Sequence, residues 1–149
     1  MPAVDIDRVL VPLDGSDESL EAAEYAVAIA RRYDAAVHAL YVLDEAVARS
    51  LHAGEIETDT VAAETAEFMQ TVESLSAEDG VPMTHSEALG FMRSQLRHHP
   101  GSVVLDTAEE IDADFLVVPR EPVSGDPEEV LGKAAEYVLM YASQPVLSV

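Results

Sequence analysis

Residues Phe115 to Lys133, FLVVPREPVSGDPEEVLGK, have the types and spacing best suited to chemistry in this chain. A short apolar run, Phe115 to Val118, empties into a loop holding Pro119, Arg120 and Pro122. A helix follows with Gly132 and Lys133, the one lysine of the sequence. A strand that leads through a loop into a helix is where α/β proteins hold phosphate, because backbone N–H groups and a helix N-terminus face the anion. Arg120 and Lys133 could add point charges to such a site. Proline works against it, since it has no N–H to donate and its ring blocks close approach. Two prolines thus stand where a phosphate cradle would want glycine. Asp126, Glu128 and Glu129 bring more negative charge to the same stretch. Phosphate loops depend chiefly on N–H donors, so the two cations are read as balancing local acids in solvent.

A second candidate is Gly90 to His99, GFMRSQLRHH. From Ala88 to Leu105 there is no acid, and Arg93, Arg97, His98 and His99 fall inside. In so acidic a chain this is a local basic patch. It suits an anion or an acidic partner. Equally, it suits an extended strand or hairpin that buries Phe91, Met92 and Leu96 against a second protomer. Metal is not expected there, because adjacent histidines rarely share one ion and spacing places no third ligand. The sequence has no Gly-x-Ser-x-Gly elbow, no His-Glu-x-x-His and no Walker A loop, so a turnover enzyme is not expected.

The elements that must position these residues follow from periodicity. Arg8 to Leu13 (RVLVPL) reads as a buried strand, with Pro12 near its tolerant end. Ser16 or Asp17 caps a helix whose buried face holds Leu20, Ala23, Val27 and Ala30, with Arg31 and Arg32 suiting its C-terminal dipole. Ala36 to Leu43 is apolar on both alternations, as in a strand covered on both faces. His38 within it reads as a core or edge histidine. Asp44 to Asp59 is poorly periodic. Val61, Thr65, Phe68, Val72 and Leu75 repeat at helical spacing, and Gly80 is the expected stop. Val81 to Leu89 reads as an edge strand and Pro100 to Ile111 as a helix. Asp126-Pro127-Glu128-Glu129 predicts the start of a last helix. Leu131, Ala135, Val138 and Ala142 would be its buried face. Gln144-Pro145 ends it before a short strand, Val146 to Val149. Strand and helix alternate four times before a closing strand, which predicts a parallel, helix-covered α/β sheet with right-handed crossovers.

Composition bounds the rest. At 149 residues with a 48% hydrophobic fraction, the chain reads as a single domain, 1–149, able to bury a core. There is no cysteine, so neither disulfides nor thiolate metal sites are available. MPAVDIDR does not resemble a signal peptide, and no run approaches the ~18 apolar residues that span a membrane. A cytoplasmic location is the default expectation. The 29 acidic residues against 8 Lys plus Arg give a formal net charge of −21. Such a surface repels nucleic acid and anionic lipid, so neither is an expected partner. The acids are dispersed through the elements, a composition that suits the cytoplasm of a salt-loving organism.

Three pieces together resemble the universal stress protein family. They are Val9 to Ser19 (VLVPLDGSDES), Ala113 to Val118 (ADFLVV) and Ala142 to Leu147 (ASQPVL). The resemblance implies a five-stranded parallel sheet of order 3-2-1-4-5 with helices on both faces, a Rossmann-like fold of the adenine nucleotide alpha hydrolase kind. It also implies a homodimer joined through the last strand, Val146 to Val149, and a site for ATP or AMP in some members. Nucleotide binders of the family carry Gly-x-x-Gly, nine residues, then Gly-Ser or Gly-Thr. The matching positions here are Pro119, Pro122, Gly132 and Lys133, and only Gly132 agrees. The base end is better kept. Asp14 matches the acid that contacts the nucleoside, Pro12 and Leu13 precede it, and Val42 ends the second strand. Val118, Pro119 and Arg120 complete the implied site. Asp14 could also simply organise the turn into the helix, and the two roles are compatible. The expectation is a regulatory or protective protein with a degenerate nucleotide loop and weak or no ATP binding. Its alternatives are a working ATP or AMP binder, extending to a slow ATPase using Arg120 and Lys133, and a structural dimer recruiting a partner through residues 90–99.

Overall fold

The computed structural model describes residues 4–43, 53–54, 58–89, 100–120 and 130–149. Strands β1 (Arg8–Leu13), β2 (Ala36–Leu43), β3 (Met83–Leu89), β4 (Phe115–Val118) and β5 (Val146–Ser148) alternate with helices α1 (Asp17–Tyr33), α2 (Thr58–Glu78), α3 (Pro100–Glu110) and α4 (Val130–Tyr141). The strands form one sheet of order β3-β2-β1-β4-β5, and every pairing is parallel.

Strand side chains alternate between two cores because successive residues face opposite sides of a sheet. Val9, Val11, Leu13, Val37, Ala39 and Tyr41 join Ala23, Ala26 and Val27 of α1 and Met69 and Val72 of α2 on one side. Leu10, Leu40, Val42, Leu116 and Val118 join Val104 and Ala108 of α3 and Ala135 and Val138 of α4 on the other. Full burial of a leucine or valine contributes roughly 1.5–3 kcal/mol, so these alternating rows specify register as well as stability. α3 and α4 also approach closely. A Cβ at the buried Gly101 would lie 2.7 Å from the Cβ of Tyr137.

Local chemistry sets the boundaries. Ser16 is the N-cap of α1, and its Oγ accepts from the Ser19 amide at 3.1 Å. Asp34, in the left-handed region at φ 56, closes that helix by donating its N–H to Ala30 and Arg31 carbonyls. Gly80 takes φ 66 after α2, as its sequence position predicts. β3 begins at Met83 and not at Val81, because the Val81 amide is still engaged with the helix, donating to the Ser76 carbonyl at 2.8 Å. Helix α3 ends at Glu110, one residue before the expected Ile111, and Asp112 then turns at φ 54. The carboxylate of Asp114 accepts from the amides of Asp7 (2.9 Å) and Arg8 (3.1 Å), and the Arg8 guanidinium donates to the Ile111 carbonyl. These contacts tie the start of β1 to the entry of β4. The helix start expected at Asp126 and the basic stretch at residues 90–99 lie outside the described residues.

His38 is satisfied by its neighbours on β3. Its Nδ1 lies 2.7 Å from Thr84 Oγ1 and its Nε2 2.9 Å from Ser86 Oγ. Burial, then the charge of Arg8, then that of His85, pull its pKa below the ordinary 6.5. A histidine whose folded pKa is lowered binds fewer protons folded than unfolded. Its contribution is therefore present above the unfolded value and is lost as pH falls through the window below 6.5. His38→Gln is expected to flatten the fall in urea stability between pH 7 and about pH 5. Equal slopes for parent and variant would remove His38 as a source of that dependence.

Candidate functional site

β1 and β4 are neighbours in the sheet, yet the helices that follow them cover opposite faces. The connections leaving their carboxyl ends therefore diverge. This is the switch point at which open α/β sheets take ligands. Asp14 is the first residue after β1 and is half-buried. Its Oδ1 accepts from the Ser16 amide at 2.9 Å and from Ser16 Oγ at 2.5 Å, an Asx turn leading directly into the α1 cap. Its Oδ2 accepts no hydrogen bond among the described residues. One carboxylate oxygen thus organises the turn.

Gly15 makes the turn with φ +85, and a Cβ there would stand 2.8 Å from the phenolic oxygen of Tyr41. Tyr41 is 8% exposed and lies opposite Leu13 in the ladder. Its ring meets Phe68 edge-on at 6.0 Å. Burial pushes the phenol pKa up, a hydrogen bond with Thr65 works against that, and the charges of Asp14, Glu64 and Glu87 push it up further. The phenol is therefore a neutral group at neutral pH. Sequence reading missed its role, because a tyrosine in an apolar strand reads only as core. The available signal was the register of Tyr41 against Leu13, two residues before Gly15, together with Thr65 and Phe68 one helical turn apart.

The second wall is built from the end of β4. Val118 is buried, Pro119 is buried and Arg120 is exposed. The Arg120 amide donates to the Val149 carbonyl at 2.8 Å, while the Val149 amide donates to Val118 at 2.9 Å. The sheet is thereby extended past the ends of β4 and β5. Neither residue after β4 presents a free N–H to the switch point: Pro119 has none and that of Arg120 is engaged. Pro12, Leu13 and Val42 are all buried, Leu13 in the core on the α1 side of the sheet and Val42 in the core on the α3 side. Gly132 and Lys133 lie within α4, and Pro122 lies outside the described residues. The fold thus gathers Pro12, Leu13, Asp14, Val42, Val118, Pro119 and Arg120 at one end of the sheet.

The sheet order, the acid after β1 and the switch point coincide with a match of residues 5–149 to the model described as the Universal stress protein family. The chain belongs to the universal stress protein family. A universal stress protein of Methanocaldococcus jannaschii is 34% identical over 145 residues, covering 95% of this chain and 81% of the relative. Among solved structures, a universal stress protein in complex with cAMP aligns with a TM-score of 0.68 at 21% identity, covering 97% of each chain. One from Archaeoglobus fulgidus in complex with dAMP aligns with a TM-score of 0.64 at 18% identity, covering 98% of each chain. These structures establish the shared fold. Within this universal stress protein, no group of three or more His, Cys, Asp or Glu is placed to hold a metal ion among the described residues. No helix among them is long and apolar enough to cross a membrane.

Proposed function

We propose that this universal stress protein is a regulatory or protective factor whose phosphate-binding loop is degenerate, so that it binds ATP weakly or not at all and does not turn it over. The observation that carries this reading is the engagement of the Arg120 amide by the Val149 carbonyl, directly after a proline with no amide proton. Hydrogen bonds to charged acceptors contribute roughly 1.5–3 kcal/mol each, so two missing donors correspond to at least about a hundredfold in affinity. Restoring the family pattern with Pro119→Gly, Pro122→Gly and Lys133→Ser in one chain is expected to raise ATP affinity at least about tenfold. A folded triple variant that binds ATP no better than its parent would contradict the loop as the cause.

A second reading is favoured by the unengaged Oδ2 of Asp14. Solved structures of the same fold hold cAMP and dAMP. A ligand with a single phosphate would need the nucleoside end of the site more than the loop. Under that reading AMP binds appreciably better than ATP, with Arg120 and Lys133 supplying charge.

The protein is also proposed to be cytoplasmic, suited to high salt, and a homodimer joined along β5. β5 is an edge strand whose residues are half-exposed. On neighbouring α4, Leu139, Met140 and Tyr141 are 53%, 66% and 61% exposed. An apolar surface beside an unpaired strand edge suits a second copy. Sedimentation velocity in molar KCl is expected to give a dimer, and a monomer at every concentration would refute it.

A further inference from the structure

We infer that Tyr41 is the positioning residue of the Asp14 turn, transmitting the placement of α2 to the carboxylate at the mouth of the sheet. The inference rests on the reading of Asp14 as the carboxylate of the site. Four observations support it. A Cβ on Gly15 would lie 2.8 Å from the phenolic oxygen, so the tip of Tyr41 faces the turn and leaves no room for a side chain there. The side chain also faces α2: its ring meets Phe68 edge-on at 6.0 Å, and Thr65 is near enough to the phenol to lower its pKa. Gly15 lies between Asp14 and Ser16, the two partners of the Asx turn. Ser16 is in turn the cap of α1. A shift of the phenol therefore reaches the Asp14 carboxylate and the first turn of α1 together.

Interiors are close-packed, so contacts of this kind transmit displacement. The side chain is more than nine-tenths buried. Phenylalanine at 41 keeps the ring against Phe68 but loses the hydroxyl that faces both the turn and Thr65. Valine at 65 removes the hydroxyl that faces the phenol from the α2 side. Serine at 65 keeps it.

The test is amide hydrogen exchange, read residue by residue on the whole chain in molar KCl without ligand. Tyr41→Phe and Thr65→Val are each expected to speed exchange of the Ser16 amide, which donates to Asp14, by about tenfold. Core amides such as those of Leu10 and Leu40 should not change by a comparable factor, and Thr65→Ser should behave as the parent. Ser16 exchange that stays unchanged in both variants, or that rises only in step with the core amides, overturns the inference. Because no ligand is present, failure here is distinct from failure of Asp14 as a ligand contact. That would appear instead as Asp14→Asn leaving AMP affinity unchanged.

Discussion

Gly15→Ala is expected to destabilise the protein by roughly 2–6 kcal/mol, through two costs at one atom. A non-glycine residue held in a sparsely populated backbone region costs of order 1–3 kcal/mol, and Gly15 stands at φ +85. The new Cβ would also lie 2.8 Å from Tyr41 Oη, and overpacking typically costs about 1–3 kcal/mol. The tip of a tyrosine can usually swing aside, but this one meets Phe68 edge-on and faces Thr65. Denaturant unfolding at fixed molar KCl would measure the loss. The two costs can be separated with Tyr41→Phe, which removes the clashing oxygen. In the Gly15→Ala background that substitution should cost less than in the parent, giving a favourable coupling of about 0.5–3 kcal/mol. Strict additivity would show that the phenol does not support the turn.

The second large effect is the response to salt. With a formal net charge of −21, the folded chain is expected to lose much of its stability when KCl is lowered from molar to about 0.01 M, as the Debye length grows from roughly 3 Å to 30 Å. The fold offers little local compensation. Arg31 and Asp79 pair at 3.6 Å with the arginine side chain 69% exposed, and pairs of that kind contribute about 0–1 kcal/mol. Glu64, Glu67, Glu73 and Glu78 all lie exposed on α2, whose last turn has no basic residue. Since domains of this kind hold only about 5–15 kcal/mol in total, unfolding at low salt near room temperature is the expected result. It would be followed by far-ultraviolet circular dichroism across a KCl series. A chain that stays folded and monodisperse in salt-free buffer, with an unchanged melting temperature, would contradict this account of its acidity.

Much of the fold is legible in the sequence, and the reason is periodicity. RVLVPL and AVHALYVL are apolar on both alternations and occupy interior positions with helices on both sides. Ala23, Val27 and Ala30 read as one helical face and are buried together. Ser16 reads as a cap and is one. Val81 misleads because its side chain looks like strand, while its amide closes the preceding helix. Less of the candidate site is legible. Asp14 is legible through the resemblance of VLVPLDGSDES to the opening strand and turn of the family. That Oδ1 takes both hydrogen bonds from Ser16, however, is visible only in coordinates. Pro119 and Pro122 announce lost donors from the sequence alone. The loss of the Arg120 donor does not, because it depends on a partner at the far end of the chain, Val149. The closeness of Tyr41 to Gly15 is hidden for the same reason: it depends on the register of β2 against β1.

The central claim is that the phosphate end of this universal stress protein is degenerate. Isothermal titration calorimetry of the parent protein with ATP in molar KCl tests it most directly. No saturable heat is expected up to millimolar ATP, whatever AMP does in a parallel titration. Saturable one-site binding of ATP at micromolar concentration would contradict it.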